Sequence, residues 1–235
     1  EKMLKGSIFA QQLRAVRKEG RILDLPHLRG QPVNVFWDLG RNDTNAMWFH
    51  QRQQAWDNFI RYYEHALVDI THYIEYMHEC EKQYGYQWGT MYLPHDGKTK
   101  HIEAVAGSVK DILQANGFKV KVVDRTPNKN LAITNTRQKF SAARFDRVGC
   151  DAGIKHLENY KWEWDEKHET FRKTPAHDHA SNGADAFQTF GDGYTGESGS
   201  FKQQLSEVDG TGGRKYLQGR NVRNPITNPS YGHIV

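Results

Sequence analysis

The chain has 235 residues, 37% of them hydrophobic, with 32 basic against 28 acidic side chains, a formal charge of +4 and a mean hydropathy of −0.82. It can build a core, it has no stretch near the ~20 apolar residues of a membrane span, and its mild basicity permits a polyanionic partner without requiring one. Two cysteines, Cys80 and Cys150, exclude a disulfide framework and a cysteine-only zinc site.

In chain order, residues 7–18 have amphipathic helical spacing (Ile8, Leu13, Val16), stopped at Gly20. No apolar run comes after Glu1–Lys5, so this start is not a signal peptide, and the missing initiator Met reads as a fragment or processed form. Val33–Leu39 is β-branched and aromatic between Pro32 and Gly40, a strand signal. Residues 44–51 are its hairpin partner, with Arg41, Asn42 and Asp43 as the turn, and 57–63 a third strand. Leu67, Ile70, Ile74 and Met77 predict a helix closing near Gly85. Residues 87–93 form a strand ending at Pro94. Val105, Val109, Ile112 and Leu113 predict a helix ending near Gly117, and 118–122 alternate as a strand. Helices are expected over 129–142 and 146–159, and a last one over 184–190. Antiparallel strands followed by alternating strands and helices predict an α/β mixed sheet. Residues 191–235 hold 9 of the 21 glycines and lose apolar periodicity, which predicts a Gly-rich tail. The expected layout is an N-terminal helix and connector over 1–30, a domain over 31–190 and a tail over 191–235.

Three acids share one kind of location. Asp38 is near the end of the first predicted strand. Asp96 lies just past the fourth, in Pro94-His95-Asp96-Gly97, and Asp185 lies in the last helix. Sites in open α/β sheets form beyond the carboxyl ends of strands. Clustered carboxylates repel unless a positive charge sits among them, and oxygen donors suit Mg²⁺ or Mn²⁺. Two such ions about 3.5–4 Å apart activate water and stabilise the leaving oxygen of a phosphodiester. The same residues also have a bland role, since Asp is a common turn and cap residue.

The strings VNVFWDLGRNDTNAMWF, YLPHDGK and TPAHDHASNGADAFQTF, in that order, resemble the nuclease domain of large terminase subunits of tailed bacteriophages, the headful-packaging branch above all. Further likeness lies in Gly20-Arg21-Ile22, in Arg144 and in GIKHLENYKWEWDE (153–166), so it covers about 5–190. The resemblance implies a ribonuclease-H-like fold. It implies an acidic triad, Asp38, Asp96 and Asp185, binding two Mg²⁺ or Mn²⁺ ions and cutting concatemeric double-stranded DNA during genome packaging into procapsids. Asp178 is the alternative third ligand or a fourth. His177 and His179 are expected beside the ligands or on DNA, and Asn182 stands where many relatives have His. Implied partners are the portal protein, the small terminase subunit and an N-terminal ATPase domain of the same full-length chain, with no membrane. The implied location is the cytoplasm of the infected bacterial host, at the procapsid portal and not in the mature virion. No GxxxxGK[ST] motif is present: Gly97-Lys98-Thr99 mimics its end, but Tyr92 stands where its first glycine belongs.

Lys98, Lys100 and His101 follow Asp96 closely enough to reach phosphates flanking a cut. Lys119, Lys121, Arg125, Arg137, Lys139 and Arg144 are further candidates. Two other readings stay open: a Holliday-junction resolvase or transposase-like recombinase on the same fold, and a non-catalytic module whose tail docks the portal.

Overall fold

The computed structural model describes residues 5–40, 44–98 and 107–196. The predicted turn at 41–43, with Asp43, and the tail beyond 196 lie outside them. Each predicted strand and helix has a counterpart. β2 (Val33–Asp38) pairs antiparallel with β3 (Thr44–Gln53), and β3 with β4 (Trp56–Ala66). β5 (Trp88–Leu93) lies parallel to β2, and β6 (Lys119–Val122) parallel to β5. Two short strands come in addition: β1 (Ile22–Leu23) and β7 (Ala143–Asp146), the latter parallel to β4. The seven-stranded mixed sheet runs β1-β7-β4-β3-β2-β5-β6. A separate hairpin, β8 (Trp162–Asp165) and β9 (Thr170–Pro175), completes the strands.

Among the described residues six helices flank the sheet: α1 (Ala10–Lys18), α2 (Ile70–Tyr84), α3 (Val109–Ala115), α4 (Lys129–Lys139), α5 (Asp151–Asn159) and α6 (His179–Gly193). Among the described residues none is long and apolar enough to cross a membrane. The caps explain several boundaries. Asp69 accepts from the Thr71 amide at the start of α2, and Gly85 ends it at φ 71°, a left-handed conformation that glycine adopts without penalty. Ser108 and Asp111 form a reciprocal capping box at α3.

The strands alternate between two apolar layers. Val33, Val35, Trp37, Met47, Phe49 and Ile60 face α2 and α3, while Phe36, Trp48, Phe59 and Tyr62 face α6. Ile8, Phe9, Leu13 and Val16 join the second layer, so the segment that the sequence sets apart as a connector is built into this core. α6 begins at His179, a turn and a half before the predicted start, because Asp178 caps it, accepting from the Ala180 amide at 3.0 Å. β7 takes the residues between the two predicted helices 129–142 and 146–159, which end and begin earlier and later than their periodicity suggests. Both cysteines are free and buried.

Candidate functional site

β2 and β5 are adjacent and parallel, so the chain leaves the sheet at the same end after each of them. Asp38 is the last residue of β2. It continues the row of Phe36 and therefore faces α6. After β5, Pro94 stops the strand and a single 3₁₀ turn, His95–Lys98, presents Asp96. The turn needs Gly97, because a Cβ there would sit 2.8 Å from the Leu93 Cβ. Asp185 comes from the second turn of α6. That helix lies close on the sheet because Gly183 carries no side chain: a Cβ would meet the His156 Cβ at 2.7 Å and the Tyr62 hydroxyl at 2.8 Å. The Gly183 carbonyl accepts from the Trp48 indole N–H at 2.8 Å and locks the contact.

Asp38, Asp96 and Asp185 line one cavity of about 330 Å³, together with Asp124, Arg125, Asn128, Lys129, Gln188 and Asp192. Burial pushes the Asp38 carboxyl well above the usual carboxylate range. The Asp185 charge adds to this, Lys129 opposes it, and Asp96 adds again. Asp185 Oδ1 accepts from Lys129 Nζ at 2.6 Å and from Gln188 Nε2 at 2.8 Å, with the Tyr160 hydroxyl at 3.5 Å. Burial first, and then Asp185, hold that phenol protonated. Asp192 is tied to the wall, accepting from Thr126 Oγ1 at 2.5 Å and Asn135 Nδ2 at 2.8 Å.

The donors are hard oxygens, as Mg²⁺ or Mn²⁺ requires. Asp96 Oδ1 is buried with no hydrogen-bond partner among the described residues, an orphaned acceptor that a cation would satisfy. As the side chains stand, no three His, Cys, Asp or Glu of the described residues close on one point. The residue types and their burial fit a divalent cation, and the carboxylates would have to turn inward to hold it.

The other candidates fall elsewhere. Asp178 is the α6 cap, 3.8 Å from Lys161 Nζ, and does not line the cavity. His177 Nδ1 lies 3.2 Å from Ser181 Oγ. His179 lines a second cavity of about 430 Å³ with Glu64, His65, His156 and Asn182. Lys98 ends the Asp96 turn and is exposed, whereas Lys100 and His101 lie outside the described residues. Arg144 is not brought to the site. It pairs in register with Asn58, whereas the Asp38 row crosses β4 at Glu64, six residues or about 20 Å farther along. There it stacks 3.8 Å over the Trp56 ring, which explains its place without DNA. Arg137 and Lys139 donate to the backbone carbonyls of Ile8 and Tyr194. The sequence pattern does not reveal Lys129, Gln188 or Tyr160. Pro127-Asn128 is a legible helix start, but nothing in the spacing says that the next residue meets Asp185.

No family profile and no curated protein matches the chain. Solved structures do. The large terminase of a thermophilic bacteriophage, in complex with ATP-gamma-S, is 14% identical at TM-score 0.58, over 80% of this chain and 45% of that one. Its ADP complex is 15% identical at 0.57, over 80% and 44%. The large terminase nuclease from thermophilic phage G20c with bound magnesium is 11% identical at 0.50, over 81% and 99%. The chain thus spans about 45% of the length of the first of these terminases. At these identities the likeness is one of fold, and the fold is the α/β, ribonuclease-H-like mixed sheet flanked by helices that large terminases also have.

Proposed function

We propose that this chain is the nuclease part of a tailed-phage large terminase, a metal-dependent endonuclease that cuts concatemeric double-stranded viral DNA during packaging. The observation that carries the reading is that Asp38, Asp96 and Asp185, from β2, the turn after β5 and α6, line one cavity. Its fold is shared with large terminases, and the G20c terminase nuclease is one with bound magnesium.

In this reading the three carboxylates would hold two Mg²⁺ or Mn²⁺ ions, whose chemistry when bound would be to activate water and offset charge on a leaving 3′-oxygen. Gln188 and the protonated Tyr160 hold the Asp185 carboxylate in orientation. Burial of Asp38 keeps bulk water from competing for its oxygens. Arg125, which lines the cavity, and Lys98, on the Asp96 turn, suit flanking phosphates. Contacts of that kind give sequence-independent, salt-sensitive binding, as headful cutting needs. The portal, the small terminase subunit and an ATPase domain of a longer chain are the proposed partners, at the procapsid portal in the host cytoplasm.

Plasmid incubated with the protein and Mn²⁺ or Mg²⁺ is expected to be cut. Asp38→Asn is expected to lower the rate by at least ~100-fold, since even groups that merely orient metal ligands are worth 10–100-fold, while circular dichroism stays native. Undiminished cutting by folded Asp38→Asn rejects the assignment, and a strong preference for branched over linear DNA favours a resolvase instead.

A further inference from the structure

Lys129 is in an electrostatically awkward position. It is the first residue of α4, behind the Asn128 cap that accepts from the Leu131 amide at 2.9 Å. The amino end of a helix carries partial positive charge and favours acids there, not cations. What offsets this is the acid-lined cavity. The Lys129 ammonium lies 2.6 Å from Asp185 Oδ1, and it lines the same cavity as Asp38. It therefore occupies an Asp185 oxygen that a cation in this cavity would need, and the acids have not closed on a common point around it. Its side chain is 41% exposed on a flexible four-carbon stem, so it has room to leave.

We propose that the Lys129 ammonium is the resident cation of the metal-free site, and that a divalent ion entering between Asp38 and Asp185 must displace it. This rests on the divalent-cation reading above. Lys129 is a positioning residue here: it keeps the carboxylates from repelling one another open, and it sets a threshold for metal entry. The simpler role, a salt bridge pinning α4 to α6, makes a different prediction. It would lower stability on removal and leave metal affinity alone.

The test is a Mn²⁺ titration of the whole chain by calorimetry, with Lys129→Met, Lys129→Gln and Lys129→Arg compared with the unaltered protein and melting curves recorded for each. Both neutral variants are expected to bind Mn²⁺ on the order of tenfold more tightly, the scale of one partly exposed ion pair removed from competition. Lys129→Arg, which keeps the charge, is expected to gain nothing. Equal or weaker Mn²⁺ binding by whichever neutral variant folds overturns the displacement while leaving the cation site standing. If the unaltered protein and the neutral variants all fail to bind Mn²⁺, the cation reading falls and the displacement with it.

Discussion

The two faces of the sheet are built from the same strands to opposite ends. The face under α2 and α3 is filled by large apolar side chains such as Trp37, Phe49, Met77 and Leu113. Its charged side chain, Arg61, lies over the Tyr84 ring and donates to the Tyr86 hydroxyl. The face under α6 is equally aromatic at its centre, with Trp48, Phe59 and Phe187 in mutual ring contact. Its margins differ, because carboxylates sit at both ends: the partly buried Asp38 and Asp185 at one, the buried Asp57 at the other. Glycine takes the place of side chains where α6 and its neighbours approach most closely, at Gly153, Gly183 and Gly191. Both faces supply stability, and the one under α6 also trades packing volume for a backbone close enough to bring acids from separate elements together.

A matched pair of deletions tests this most severely. Phe49→Ala and Phe187→Ala each empty a fully buried aromatic site and are each expected to cost about 3–5 kcal/mol in urea unfolding. Only Phe187→Ala is expected to weaken Mn²⁺ binding as well, since it loosens the helix that carries Asp185. Equal metal affinities in the two variants would erase the distinction between the faces. Gly183→Ala sharpens it. The added methyl meets His156 and the Tyr62 hydroxyl, so a stability loss of about 1–3 kcal/mol is expected, with a disproportionate fall in plasmid cutting. Loss of cutting no greater than the loss of folded protein would say that α6 tolerates the shift.

The smallest effect is a pH dependence at the far end of the same face. Burial alone would raise the Asp57 carboxyl, but the hydrogen bond from His50 at 3.0 Å and Arg52 at 2.8 Å hold it below its usual range. His50, wholly buried, is pushed toward its neutral form, so Arg52 supplies the charge. A carboxyl whose folded-state value is depressed stabilises above its ordinary value near 3.8 and loses that contribution as pH falls through the lower folded value. Asp57→Asn is expected to cost about 1–2 kcal/mol at neutral pH and to flatten the loss of stability between about pH 5 and 2. Parallel acid-unfolding curves for the two proteins would show that Asp57 plays no part in it.

Much of this was legible in the residues. A β-branched and aromatic run between Pro32 and Gly40 placed β2, alternation placed β6, and helical spacing placed α2 and α3, because each buries apolar side chains in the two layers. β1 and β7 were not legible. β1 has two residues, too few for a period to register, and β7 lies at the junction of two stretches that read as helices; each pairs in parallel with a neighbouring strand. The acids were legible as a set because two come after strands and one lies in a helix pattern. The partition of Asp178 from Asp185 was not: seven residues apart, they differ only in that one caps α6 and the other faces its interior turn, which the helix start decides. The place of Arg144 was not legible, because a basic residue near other basic residues carries no sign of which end of the sheet it reaches. Lys129 was invisible because its partner lies 56 residues later.

The last helix has a consequence in time. Asp38 and Asp96 lie within the first hundred residues, but Asp185 and the cover over Trp48 and Phe59 arrive only with α6. A nascent chain stalled before residue 179 holds two of the three acids and an uncovered aromatic face. Synthesis itself then delays completion of the site: a half-made molecule lacks the third carboxylate and presents aromatic side chains that α6 would cover.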